Sequence, residues 1–475
     1  MKSLAFAFLA LVFSVTSASA ATYTWINAKI APWSDSTAWS GGVAPTSNQD
    51  NVINFTGISQ NSTGTLTTAD FQLNQLTASG TNSTKTLAIS SSGGGYLEFI
   101  ANSSAVNPML TLSRTNSGGG ATNITVPMTI TNTLTINSTG NSTTISGAIT
   151  NNSGIVAEGT GGFALSSVIS GAGNLTISMT NATVSTGTNS TYTGVTTLSG
   201  GTLSVKLLAN GGSNSSIGKS TNAAANLVLD GGSLAFVGAG TVSTDRLFTL
   251  TQNGGTLDSS GTSGAAENFT SAGSVAFSGS GARTLTLTGT STGVSNLAPI
   301  LGDGTGGGTS VAKTGVGTWE LSGANTYTGG TTVTGGTLIV NSSTALGSSS
   351  GSIGVSGGTL DIKGNIISSG QLTFGTGTGT IANSLGGSSS LSTSGVAVNG
   401  TGVVNSGVSL GGDAVVNGGG VFTVNGAATG AVSINSNGSL GGTGTTGAVT
   451  LASGGAINMA DGQIGTLTIG GLTTT

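Results

Sequence analysis

A short pattern recurs along this chain: an apolar residue, any residue, Gly-Gly, Thr or Ser, Leu, any residue, then an apolar residue. It stands as Leu198-Ser-Gly-Gly-Thr-Leu-Ser-Val205, Leu229-Asp-Gly-Gly-Ser-Leu-Ala-Phe236, Val333-Thr-Gly-Gly-Thr-Leu-Ile-Val340 and Val355-Ser-Gly-Gly-Thr-Leu-Asp-Ile362. The Leu-x-apolar half alternates with the period of a β-strand, and the glycine pair supplies a corner. A unit this short cannot bury its own apolar face, so copies must stack to share a core. The expected architecture is therefore an all-β solenoid.

Composition decides between order and disorder. Charged residues make up 5% of the 475, aromatics 4%, and there are 85 glycines against 5 prolines. A disordered linker of this kind has low hydrophobicity and no periodicity. Here 36% of residues are hydrophobic, and alternating runs such as Thr284-Leu-Thr-Leu-Thr288 are what half-buried strands need. The net charge is -4, and the ten basic residues are scattered with no patch to neutralise phosphates, which argues against a nucleic-acid partner. With no cysteine there is neither a disulfide framework nor a thiolate metal site.

The first 20 residues read as a secretory signal peptide: Lys2, an apolar stretch over Leu4 to Val15, and Ala18-Ser19-Ala20 as a small-residue cleavage site. The stretch falls short of the roughly 20 apolar residues that span a bilayer, and no later run is longer, so no membrane span is expected in the mature chain. Residues 21–60 differ from the rest, holding Trp25, Trp33 and Trp39 of the four tryptophans. Clustered tryptophans can form a sugar-binding platform or can plug the open end of a stacked β structure. A solenoid needs an atypical end, which favours a Trp-rich cap. Residues 61–475 are read as the stacked repeats.

The Gly-Gly corners measure the coil. Gly335 to Gly357 is 22 residues, Gly231 to Gly254 is 23, and Gly200 to Gly231 is 31, the last implying an insertion. A period near 22 suits one turn of a three-sided parallel β-helix, so about 400 residues give about 18 coils in a rod on the order of 90 Å long. A longer repeat is sharper: from Tyr192 and Tyr327 onward two segments match at a constant offset of 135. Leu198/Val333, Leu203/Leu338 and Val205/Val340 stay apolar and should point inward, while Ser204/Ile339 differ in polarity and should point out.

Gly315-Val-Gly-Thr-Trp-Glu-Leu-Ser-Gly-Ala-Asn-Thr-Tyr-Thr-Gly-Gly-Thr-Thr-Val-Thr-Gly-Gly-Thr-Leu338, continued by Ala345-Leu-Gly347 and Gly357-Gly-Thr-Leu360, closely resembles the autotransporter-associated β-strand repeat, also called the passenger-associated transport repeat. The copy around Tyr192 is weaker and lacks the Trp lead-in, which places the repeats near 184–236 and 313–362. Thr24-Trp25 through Trp39-Ser-Gly-Gly-Val-Ala-Pro45, and Gly438 to Gly470, also look like parts of such proteins. The resemblance implies a right-handed parallel β-helix carried to the surface of a Gram-negative-type bacterium, secreted or outer-membrane associated, with repeats that assist folding and secretion. Family members that use this route end in a membrane barrel. None is visible before Thr475, so a fragment whose barrel or effector lies further on and another export route both stay open.

Candidate chemistry is sparse. Without histidine or cysteine, the triad, Cys-His and His-metal designs are excluded. The 14 acidic residues include no Asp-x-Asp or Asp-Asp pair. Asp230 and Asp361 flank Gly-Gly corners and read as solvated turn or outward strand residues. Gly302-Asp303-Gly304 has one aspartate where a calcium turn needs several, and reads as a flexible inter-coil loop. Tyr192 and Tyr327 can stack on a ligand or pin coil register, and packing favours the second.

No catalytic, cofactor-binding or metal residue is therefore expected, and no cofactor. The expected function is that of a non-enzymatic exported passenger: a β-helical stalk with an adhesin-like or matrix role. Its expected partners are glycans or surface polymers and the outer-membrane export machinery, with self-association through exposed coil edges. The alternative is a carbohydrate-active β-helix enzyme, a lyase or hydrolase, which would gather several carboxylates on one face.

Overall fold

The computed structural model describes residues 20–26, 30–56, 61–116, 120–262, 264–458 and 465–475. The expected signal peptide lies outside the described residues, apart from Ala20.

The chain winds as a right-handed parallel β-helix, the hand that parallel crossovers take. Three strands make a coil where the winding is most regular. Val396–Val398, Thr401–Val404 and Val408–Leu410 pair in parallel with Ala414–Val416, Val421–Val424 and Ala427–Ala428 of the next coil. Every second residue points inward, and the inward ones form a single core from Trp25 to Val449. The helical turns of the described residues are short 3-10 segments at Ser36–Ala38, Ser40–Gly42 and Ala224–Asn226. Among the described residues no helix is long and apolar enough to cross a membrane.

The Gly-Gly pattern folds as its alternation requires. Leu198, Val333, Leu203, Leu338, Val205 and Val340 are all buried, whereas Ser204 and Ile339 are partly exposed. In three copies the pair separates two strands: Leu227–Leu229 from Ser233–Phe236, Thr331–Val333 from Thr337–Val340, and Ile353–Val355 from Thr359–Asp361. In the copy at Leu198 one strand, Thr196–Val205, runs through the corner and joins two ladders. In the copy at Val333, Gly336 turns at φ 58, where a Cβ would run into the Gly317 carbonyl oxygen.

Coil length is less constant than the corner spacing implies. Bonds between equivalent positions of successive coils span 18 residues from Asp413 to Ala431, 21 from Asn174 to Val195, and 28 from Glu267 to Ser295. Only the ladder residues are held in register, so the corners absorb insertions at small entropic cost. The insertion anticipated after Gly200 is residues 206–226, since Thr196 pairs with Leu227.

Candidate functional site

The Trp-rich region is itself the first coil. Thr22–Trp25 pairs with Val52–Phe55, and Ile30–Pro32 with the strand starting at Ser62. Trp25, Trp33 and Trp39 are buried, with ring centroids 5.0 Å apart for Trp25–Trp39 and 5.1 Å for Trp33–Phe71. The Trp39 indole N–H donates to the Trp33 carbonyl at 2.8 Å. These rings fill the coil and offer no face to a sugar.

Tyr192 and Tyr327 are likewise interior. Their hydroxyls lie 2.7 Å from Thr196 Oγ1 and 2.6 Å from Thr331 Oγ1. Burial pushes both phenols well above their ordinary pKa. Each is covered by a glycine with positive φ, Gly218 over Tyr192 and Gly347 over Tyr327.

The acidic residues singled out by position prove to be turn fasteners. Asp230 accepts from Thr251 Oγ1 and Asn253 Nδ2. Asp361 departs from the expected solvated role: it is buried, and one oxygen accepts from the backbone N–H of Lys363 and of Ser384, both at 3.0 Å. Two amides from adjacent coils converge on it, and that convergence draws it inward. The Asp303 loop is also tied down, because its carboxylate accepts from Thr309 N, Thr328 N and Thr328 Oγ1. Burial works against Asp303 ionisation, but these bonds and the nearby Arg283 outweigh it and hold the carboxyl below its usual range.

Several buried charges were not legible as such. Arg246 Nε donates to the Ala209 carbonyl at 3.0 Å, Nη1 to Ser220 Oγ at 2.8 Å, and Nη2 to the Gly218 carbonyl at 3.0 Å. Arg283 donates to the carbonyls of Leu250, Ser278, Gly279 and Gly281. Lys313 Nζ caps the carbonyls of Thr314, Gly315 and Gly335, and burial lowers its pKa to about 8. Arg114 holds the Lys85 and Ala121 carbonyls. Most of these carbonyls lie in corners between strands, though Leu250 and Ser278 are strand residues, and a buried cation supplies donors that the backbone there does not. Glu267 is the opposite case: it is fully buried, and both carboxyl oxygens lack a hydrogen-bond partner. Desolvation, with Asp258 nearby, raises its pKa well above the ordinary value. Its inward place in the strand Glu267–Phe269 was the available signal, since the next inward residue is Phe269.

The outer face carries amides, hydroxyls and a few acids. Gln72 Nε2 and Thr131 Oγ1 both donate to Glu98, and the Tyr96 phenol is raised chiefly by its hydrogen bond to Asp70. Asn417 Nδ2 donates to Asn399 Oδ1 at 2.6 Å, and Asn435 Nδ2 to Asn417 Oδ1 at 3.2 Å, forming a ladder along the axis. Lys363 pairs with Glu320 at 2.9 Å. Among the described residues, no group of three or more acidic, His or Cys side chains could hold a metal ion.

A family model described as the passenger-associated-transport-repeat matches residues 170–205 and 311–340, the two segments that end in the Gly-Gly-Thr-Leu corners below Val205 and Val340. The chain carries passenger-associated transport repeats. Each matched copy places the same inward Leu and Val after its corner, at Leu203 and Val205 and at Leu338 and Val340. The chain is also 38% identical over 236 residues to the adhesin BmaC autotransporter of Brucella suis biovar 1 (strain 1330). That match covers 49% of this chain and 6% of the relative, so the chain spans a small part of the relative's length. No solved structure matches it.

Proposed function

We propose that this chain is a passenger segment exported to the surface of a Gram-negative-type bacterium, where it acts non-enzymatically as an adhesin-like β-helical stalk. The observation that carries the reading is the pair of passenger repeats built into the β-helix, at residues 170–205 and 311–340. Similarity to an autotransporter named as an adhesin supports the adhesive role. A stiff rod with few charges presents hydroxyl and amide rows at coil spacing, about 4.8 Å, and glycans or surface polymers are partners of matching chemistry. Three of the 14 acidic residues, Asp230, Asp303 and Asp361, are engaged as turn fasteners. The repeats would engage the export route by folding sequentially as they emerge, each new coil templated on the last.

The test uses cells expressing the full protein that contains this chain. An antibody to residues 396–434 should label intact cells, and deletion of 311–340 should lower surface labelling several-fold while the chain accumulates inside. Beads coated with the purified chain should adhere to host-cell or matrix surfaces above uncoated beads. Intact cells that stay unlabelled, or beads that behave as uncoated ones, overturn the reading.

A further inference from the structure

The corner that follows the 11-stranded sheet changes length from coil to coil. The chain takes residues 383–388 to pass from the strand Thr378–Ala382 to the strand Ser389–Ser392. One coil on, residues 405–407 suffice between Thr401–Val404 and Val408–Leu410. The next coil needs only Asn425 and Gly426 between Val421–Val424 and Ala427–Ala428. A long corner stacked on two short ones leaves a step. That step is a trough of about 560 Å³ lined by Asn383, Ser384, Asn405, Ser406, Asn425 and Thr443. A second concavity of about 370 Å³ shares Ser406 and Asn425 and carries the trough around the corner.

The walls are held from behind. Asn383 Nδ2 donates to the carbonyls of Gly386, Gly387 and Gly407, so one side chain ties the long corner to the next coil. Asn425 Oδ1 accepts from the Thr443 backbone N–H at 3.2 Å and from its hydroxyl at 3.4 Å. The Asn399–Asn417–Asn435 corner satisfies its amides along the axis. In the trough, by contrast, Asn405 and the hydroxyls of Ser384 and Ser406 line open space.

We propose that this trough is a binding site for a neutral polysaccharide chain lying along the axis of the β-helix. Among the described residues no charged side chain lines either concavity, which favours a neutral ligand over an anion or a cation. Amides and hydroxyls both donate and accept, as paired sugar hydroxyls do. Asn383, Asn405, Asn425 and Thr443 stand on successive coils, three steps of about 4.8 Å, a spacing close to one pyranose ring of an extended glycan. A peptide strand fits poorly, because the trough crosses the strands and presents no free ladder edge to pair with. The site is shallow and polar, so a single contact has a Kd on the order of 1 mM, and many rods on one surface supply the avidity. The proposal rests on the adhesin-like reading only for its setting, since the trough can be tested in solution.

Purified chain is titrated by saturation-transfer NMR with cellohexaose, chitohexaose and mannohexaose, and with hexagalacturonate as the anionic comparator. At least one neutral hexamer should bind with a Kd at or below about 1 mM. Affinity should fall at least tenfold in Asn405→Leu and in Ser406→Leu at the exposed Ser406, and stay unchanged in Thr332→Leu on another face, with circular dichroism unchanged in all three. The proposal is overturned if no neutral hexamer binds, if hexagalacturonate binds as tightly, or if both trough variants bind like the parent. Surface labelling of cells is scored separately: intact display without glycan binding removes the trough alone, and binding without display removes the adhesin setting alone.

Discussion

The hydroxyl of Tyr327 lies 2.6 Å from Oγ1 of Thr331, and 135 residues earlier Tyr192 and Thr196 repeat the pair at 2.7 Å. Both tyrosines are fully buried, and among the described residues the hydrogen-bond partner of each hydroxyl is that threonine. Tyr327→Phe should cost about 1–3 kcal/mol, because it strands the Thr331 hydroxyl in the core. The double variant Tyr327→Phe with Thr331→Val should recover most of that loss. Urea midpoints of the two variants check this, and equal losses in both would contradict it.

Gly347 turns at φ 80 directly on the Tyr327 ring, where a Cβ would meet the Tyr327 carbonyl oxygen at 2.4 Å and Cδ2 at 2.9 Å. Neither the backbone nor the packed ring can yield. Gly347→Ala should therefore destabilise by roughly 2 kcal/mol or more, and Gly218→Ala should do the same over Tyr192. Gly471→Ala, with nothing within 4 Å of the added carbon, should be close to neutral. Thermal unfolding of the three variants separates them.

Arg246 stitches the 206–226 insertion to the coil through Ala209, Ser220 and Gly218. Arg246→Met keeps the apolar stem and removes the donors, at about 3 kcal/mol for charged hydrogen bonds left unmade. A solenoid responds locally. Hydrogen exchange should accelerate across 206–226 and leave 396–434 unchanged; loss of protection along the whole rod would show that the insertion is not a separate unit.

Glu267 predicts an unusual pH dependence. Its folded pKa lies well above the unfolded value of about 4.3. Between the two, the native state holds a proton that the unfolded chain has lost, so this group's contribution to stability falls as pH rises. It is fully present below pH 4 and declines until the folded pKa is passed. Asp258 nearby adds negative charge, which pushes the folded pKa further up and widens the pH range of the effect. Glu267→Gln should remove the slope, so the parent-minus-variant difference in urea midpoint should fall as pH rises above 4 toward the raised folded pKa. A flat difference would mean that Glu267 titrates normally.

How much was legible varies with the kind of residue. The strand interior was readable at Leu203, Val205, Leu338 and Val340 because alternation is a local property of two repeats that can be compared. The partnership of Gly347 with Tyr327 was half visible, since Ala345-Leu-Gly347 stood in the motif. Its twin, Ser216-Ile-Gly218, repeats the small-apolar-Gly pattern, but the insertion after Val205 separates it in sequence from Tyr192, so spacing alone does not connect the two. The trough was invisible, since it arises from a difference in length between neighbouring corners rather than from any residue pattern.

By itself, the amino-acid sequence determined that the chain stacks, which residues face inward, and that no histidine or cysteine chemistry operates. These follow from strand period and composition, which need no knowledge of distant neighbours. Only the tertiary structure decided that Arg246, Arg283 and Lys313 turn inward to cap carbonyls, that Glu267 and Asp361 are buried, and that residues 383–443 enclose a trough. The reason is that corners vary in length, and what a corner residue meets is set by the coil above and below it.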